Sequence, residues 1–422
     1  MNLINVFPVF SRDVREKAKD VKFRLNRFDI LVIFLLVLKL FLSAIFFPEL
    51  EMPDEDYHTN FNINYDYHGN LYFSWMHQFY ILFKNFFHLT GPSLELNSHF
   101  SFASNSFIFI HNSFNSLFVI LLRFVHVFCA LFFIFGFYFI LKRIKKISGF
   151  EKIFTFRLSL LFLSWPAVSS SLAGISPDFF IYLYEALFFI ILIYYNQVLP
   201  LLLFNLLMCI FVDNNPIIMI AMTICYSIFF FLTRAGERVL VLKNKLGLVG
   251  ISVVLILIYA VLVRVGIISR LCPYLEWVIS DLSTTTNYRL LKSLGCLFLG
   301  LYYLGGSMSL LAFWPEYVLF LVFSLLCLWK LFTRDGLLEN RLFLYILSSF
   351  LTFNVAILTL HAIDQGRYYY FLIPALIVMF DRYFLKSKLF VSNKYYLAIG
   401  ILFFISSMIK LAEAALRGFV IG

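Results

Sequence analysis

Four short motifs hold most of the side chains able to take up a proton or grip an anion. FPELEMPDEDYH, at 47–58, places Glu49, Glu51, Asp54, Glu55 and Asp56 within eight positions and follows them with His58. Carboxylates crowded at a low-dielectric boundary raise one another's pKa, which prepares one of them as a general base. ISPDFF carries Asp178, DNNP carries Asp213, and DQGRYYYFLIP carries Gln365, Gly366, Arg367 and Tyr368. In the last motif a glycine lets backbone approach a ligand closely, and a guanidinium can fork onto a phosphate.

Each motif also fits a purely structural role. Pro53 followed by Asp54 and Glu55 is how a helix begins, with proline in the first turn and acids at the positive end of the dipole. Ser176, Pro177 and Asp178 read as N-cap, first and second helical residues, and Asp213 to Pro216 as a turn and helix start. Arg367 among tyrosines is also the pattern of a headgroup-anchoring belt. His58, His68, His77 and His361 share the outer segments, at spacings that match no metal motif, and His126 reads as a buried packing residue. Clustered acids would suit Mg²⁺ or Mn²⁺, although general-base chemistry needs no metal.

The elements carrying these motifs are hydrophobic. Of 422 residues, 62% are hydrophobic and 14% charged, and the mean hydropathy is +0.88. Apolar runs of roughly 18 to 22 residues recur, the length that crosses about 30 Å of hydrocarbon. The net charge of +10 comes from basic residues in short loops between those runs. That is the positive-inside pattern, and it makes nucleic acid an unsuitable partner while the lipid bilayer is an obligatory one. Six cysteines show no metal-ligand spacing, though Cys272 and Cys296 both fall on outer segments and are able to pair.

Charge orients the chain. Residues 1–29 form a basic, roughly amphipathic cytoplasmic tail with seven Lys and Arg, read as preceding an uncleaved anchor. Residues 30–422 form one integral membrane domain. The first span is 30–47; the segment 48–113 holds seven acids and only Lys84, so it lies outside. Within it, the aromatic stretch 71–89 reads as a helix at the outer interface. Further spans are expected at 114–141, 156–172, 179–195, 201–212, 217–232, 246–267, 342–360 and 397–411. With crossings in 291–331 and in the return after 361–370, the total is about eleven (10–13). The basic loops then fall inside, while PDED, SPD, DNN and DQGR all fall on the outer face. Few charges are expected at mid-span. Acids and an arginine on one face describe a site that moves a group from a phosphate leaving group to a hydroxyl.

PDEDYH after the first span, SPDFF opening a later one and QGRYYYFLIP near the C-terminus resemble, in that order, a family of bacterial polytopic proteins within the GT-C glycosyltransferase superfamily. The resemblance covers about 30–385. It implies an all-α, GT-C-like polytopic fold with a long first periplasmic loop in the inner membrane, and a polyprenyl-phosphate-linked sugar as donor. It implies a glycan or lipid of the cell envelope as acceptor. Carried over by position, it points to Asp54 as catalytic base with Glu55 next. Arg367 and Gln365 would hold the donor phosphate, and Asp178, His58, Asp56 and Tyr368 would position substrate or, for Asp178, a divalent cation. Tyr57 stands where the family has a small residue. Two rival readings remain: a flippase or transporter of lipid-linked glycans, and an O-antigen-unit polymerase. A carrier needs polar groups deep in its spans, open to both faces.

Overall fold

The computed structural model describes residues 23–46, 114–145, 147–174, 179–209, 215–235, 245–264, 314–359 and 370–421, with six positions of the segment 75–85. All regular structure among them is helical. In chain order the helices are α1 (Arg27–Phe46), α2 (Phe114–Arg143), α3 (Gly149–Ser164), α4 (Pro166–Ala173), α5 (Phe179–Ile190) and α6 (Val198–Met208). They continue with α7 (Asn215–Ala235), α8 (Lys245–Arg264), α9 (Trp314–Thr333), α10 (Leu337–Thr359), α11 (Ile373–Tyr383) and α12 (Asn393–Ile421).

Arg27–Ile45, Leu121–Arg143 and Lys245–Leu262 are each long and apolar enough to cross a membrane, and α3 with α4 forms a fourth, bent candidate. The protein is therefore built of membrane-spanning helices. The expected eleven crossings draw on 265–313 and 360–369, which lie outside the described residues.

Helix α2 shows what solvent these helices are made for. Phe128, Phe132, Phe135 and Phe139 recur at helical spacing and are exposed, Phe132 by 82%. The opposite face buries Arg123, His126, Val127, Ala130 and Ile134. A water-soluble helix has the reverse arrangement. Phenylalanine outside and arginine inside is stable where the surroundings are hydrocarbon, because only the protein interior offers polar partners there.

The chain divides into two compact units. In one, α1 packs against α2, α3, α4 and α12. Its ends are fixed by local chemistry. Asn26 is the N-cap of α1: its Oδ1 accepts from the N–H groups of Phe28 and Asp29 at 2.9 Å, and the Asp29 carboxylate accepts from Asn26 N at 3.1 Å. Ser148 and Glu151 form the same reciprocal box at the start of α3.

The expected span 156–172 is broken. Trp165 is extended (φ −55°, ψ 134°), and α3 and α4 meet at a 70° bend. Pro166 is the cause: it lacks an N–H, and its ring pushes the preceding residue out of helical geometry.

In the other unit α10 is central, packed on α7, α8, α9 and a π-turn, Ile191–Tyr195, that extends α5. Arg341 of α10 donates to the loosened carbonyls of Ile193 (2.7 Å) and Tyr194 (3.4 Å). Asn196 then takes the left-handed conformation (φ 51°) that ends the helix, which asparagine tolerates. Buried hydroxyls fold back onto their own helix. Ser348 and Ser349 each donate to the carbonyl four residues earlier at 2.7 Å.

Contacts within each unit gather the segments that the charge rule assigns to one side. Lys245, starting α8, donates to the Leu331 carbonyl at 2.8 Å and to that of Arg334, and pairs with Asp335 at 3.3 Å. Arg382, ending α11, pairs with Glu339 in the first turn of α10 at 3.2 Å. A lysine on terminal carbonyls is a favourable helix C-cap.

A close helix contact lies at Gly400 of α12. A Cβ there would stand 2.9 Å from Cγ2 of Val32 on α1. Valine's χ1 is stiff, so it cannot swing aside cheaply. Gly400→Ala is expected to destabilise the protein by about 1–3 kcal/mol, and Val32→Ala in the same chain to restore most of that loss. Thermal unfolding in detergent checks both.

Candidate functional site

Among the described residues of the α1 unit, two buried polar centres differ in kind. The first is closed. Arg157 of α3 donates from Nε to Asp29 Oδ1 at 2.9 Å, from one terminal nitrogen to the Phe390 carbonyl at 2.9 Å, and from the other to Asn393 Oδ1 at 2.5 Å. Its guanidinium sits 4.6 Å from the centre of the Tyr396 ring, and Asn26 Nδ2 donates to the same Asn393 oxygen at 3.2 Å. Charge and hydrogen-bonding capacity are met by α1, α3 and α12 themselves. This centre knots three helix ends together.

The second centre is nearer the other end of α1. Lys39 is 2% exposed, and its Nζ donates to the Pro166 carbonyl at 2.9 Å and to Ser169 Oγ at 2.5 Å. Ser169 in turn donates to the Trp165 carbonyl at 2.8 Å. The lysine thus stands against the break between α3 and α4, where Pro166 has disturbed the helical ladder. Six residues separate Lys39 from Ile45, so it lies about 9 Å inside its span. These two acceptors are neutral oxygens.

On α2, which packs on both α1 and α4, Arg123 is fully buried and His126 is 2% exposed. Phe41 meets Phe124 at 5.7 Å and Phe128 at 5.9 Å between ring centres, which sets the register of α1 on α2. Lys39 and Arg123 therefore differ in depth by only about 7–8 Å. His126 Nδ1 bonds the Leu122 carbonyl at 2.8 Å, so its packing role is as expected. Its ring also abuts Trp75 (6.4 Å) and Phe179 (5.1 Å). Every described position of 75–85 is helical, in keeping with the helix expected at 71–89. Glu185 is 4% exposed on α5, about 9 Å from Phe179.

These residues correct one expectation. The spans do carry charge away from their ends: Lys39, Arg123 and Glu185 are buried inside apolar helices. Each is the one permanently charged side chain in an apolar run, as in LVLKLFL or LLRFVHV, and a window average conceals it. Charge isolated in a span is itself the signal.

The residues expected to carry the chemistry, Asp54, Glu55, Asp56, His58, Asp178, Gln365, Arg367 and Tyr368, lie outside the described residues, as do Asp213, Cys272 and Cys296. The chain nonetheless ties two of their motifs to this unit. α1 ends at Phe46, just before the PDED segment, and Phe179, which follows Asp178 in the sequence, is the residue against His126. Among the described residues no three His, Cys, Asp or Glu side chains are placed to hold a metal ion. Compared with family models, curated proteins and solved structures, the chain matches none.

The closed centre makes a direct prediction. Arg157→Met leaves Asp29 charged and buried, and is expected to cost about 3–5 kcal/mol. Adding Asp29→Asn should recover a large part of it, since the orphaned charge is gone while the capping geometry of Asn26 is kept. A double-mutant cycle on thermal unfolding measures the coupling.

Proposed function

We propose that the protein is a membrane glycosyltransferase of GT-C type, moving a sugar from a polyprenyl-phosphate-linked donor to a hydroxyl of an envelope glycan or lipid on the periplasmic side of a bacterial inner membrane. One observation carries the reading. Lys39, Arg123, His126 and Glu185 are buried in that half of the α1 unit from which α1 leads into PDED and into which SPD leads. Ionisable groups held at hydrocarbon depth mark sites that handle charged substrates. Here they accompany the two acidic motifs rather than being scattered along the spans.

In this reading Asp54, with Glu55 as its nearest substitute, takes the proton of the acceptor hydroxyl as oxygen attacks the anomeric carbon. The sugar–phosphate bond breaks, and the polyprenyl phosphate departs with its electron pair. Arg367 and Gln365 stabilise that phosphate, while Asp178, His58, Asp56 and Tyr368 orient the substrates. A divalent cation at the acids would lend further charge without altering the base's task.

A carrier for lipid-linked glycans is the second reading, and a specific feature favours it. Lys39 lies deep in its span against a broken helix, an arrangement transporters use for substrate sites. The two readings part on bond cleavage: only a transferase consumes its donor.

Asp54→Asn, at equal membrane abundance, is expected to lower transfer by about 10²–10⁴-fold. Profiling of envelope glycans and polyprenyl lipids should show one glycan short of a sugar and an accumulated polyprenyl-phosphate sugar. An unchanged profile with a normally folded variant removes Asp54 as the base and advances the carrier.

A further inference from the structure

We propose that the end of the α1 unit where α2 finishes and α12 begins is a seat for the headgroup of an anionic phospholipid. The proposal is independent of the transferase reading.

Two sets of cations differ. In the α10 unit, basic side chains at helix ends are engaged by the protein: Lys245 pairs with Asp335, Arg382 with Glu339, and Arg334 lies over the Tyr383 ring at 5.4 Å. In the α1 unit, Lys142, Arg143 and Lys145 close α2, Lys386 and Lys388 precede α12, and Lys394 stands in its first turn; all six are exposed. Among the described residues none of the six makes an ion pair. The acids of the adjoining segments are Asp29 and Glu151, and both are engaged, Asp29 by Arg157 and Glu151 by the Ser148 capping box. Positive charge at this end is left for a partner outside the chain.

Water alone satisfies scattered lysines, but these are gathered. Near the start of α3, Lys152 donates to the Lys142 carbonyl at 3.5 Å. Two residues on, Phe154 meets the Phe390 ring at 4.7 Å, and three further on, Arg157 bonds the Phe390 carbonyl and Asn393. The end of α2 and the start of α12 are thus anchored within about 8 Å of one another along α3. The backbone also turns to present its lysines. Lys386 and Ser387 both take the left-handed conformation (φ 52° and 61°), which residues other than glycine rarely adopt. Beyond that turn Leu389 and Phe390 are buried while Lys386 and Lys388 stay exposed. Lys394 follows in a first helical turn that holds no acid. A helix N-terminus is itself positive, so a lysine there favours an anion beside it.

The adjoining surface selects a lipid as carrier of the anion. Phe139, one turn before Lys142 and Arg143, is exposed with its neighbour Ile140, and Val391 is exposed between Lys388 and Lys394. A headgroup phosphate meets the cations while its acyl chains follow the apolar side chains of the same helices. Each basic residue at a membrane surface strengthens the hold on anionic lipid by about fivefold.

The test is lipid binding by the purified full-length protein, read by native mass spectrometry from a neutral detergent. The probes are phosphatidylglycerol, phosphatidylcholine of matched chains, and soluble glycerol 3-phosphate. Wild type is expected to bind phosphatidylglycerol at least about tenfold more tightly than phosphatidylcholine. Lys386→Gln with Lys388→Gln is expected to abolish most of that difference, with phosphatidylcholine binding unmoved. Arg334→Gln, in the α10 unit, is expected to leave it intact. If Arg334→Gln reduces the preference as much as the lysine pair does, the lipid responds to overall charge and the seat is overturned. An unchanged preference in the lysine pair overturns it as well. Competition by glycerol 3-phosphate at equal concentration would show a site for phosphate alone and overturn the lipid assignment. Should the lysine pair not fold, Lys142→Gln with Lys145→Gln, from the other group, carries the same expectation, and unchanged preference there overturns the proposal.

Discussion

Hydrocarbon offers no hydrogen bonds, and that constraint shapes many of the polar groups among the described residues. Serine and threonine hydroxyls turn back onto their own helices. The loosened carbonyls of the π-turn are met by Arg341, and the end of α9 by Lys245. Arg157 is surrounded by a carboxylate, a carbonyl, an amide oxygen and an aromatic face. Backbone freed from the ladder must find a partner inside the protein, and where the chain breaks at Trp165–Pro166 the Phe162 carbonyl accepts from Trp165 N at 3.0 Å.

The same constraint acts differently on the two buried centres of the α1 unit. Arg157 and Asp29 cancel one another, and their remaining capacity is taken up by helix ends, so this centre is complete as a joint. Lys39 is held by neutral oxygens at a helix break, with Arg123 buried nearby. The first arrangement is what helix packing requires. The second places a lysine against a helix break inside a span. In the sequence PDED follows the end of α1 and SPD precedes the start of α5.

Much of the fold could be read from the residues, and the reason is physical. Hydropathy reports transfer from water to oil, which is the force that sets span length. The runs 30–47, 114–141 and 217–232 accordingly became helices Arg27–Phe46, Phe114–Arg143 and Asn215–Ala235. Loop charge grouped segments that the ion pairs of each unit then bring together. The break at Pro166 was also written in the chain, since a proline within an apolar run removes a donor, but the averaged pattern ran through it. Lys39, Arg123 and Glu185 escaped for the same reason. Their placement against particular partners depends on which helix faces which, and that is fixed by packing such as Gly400 against Val32, not by any local pattern. The acidic and arginine motifs stand on chemistry and resemblance alone.

The central claim is that donor is cleaved, not carried. The most direct measurement reconstitutes the purified protein with polyprenyl-phosphate sugars labelled in the sugar, adds envelope extract as acceptor, and follows free polyprenyl phosphate together with the label. The account predicts that polyprenyl phosphate is released in step with transfer of label to a glycan or lipid. Intact donor redistributing between leaflets, with no polyprenyl phosphate formed, would contradict it.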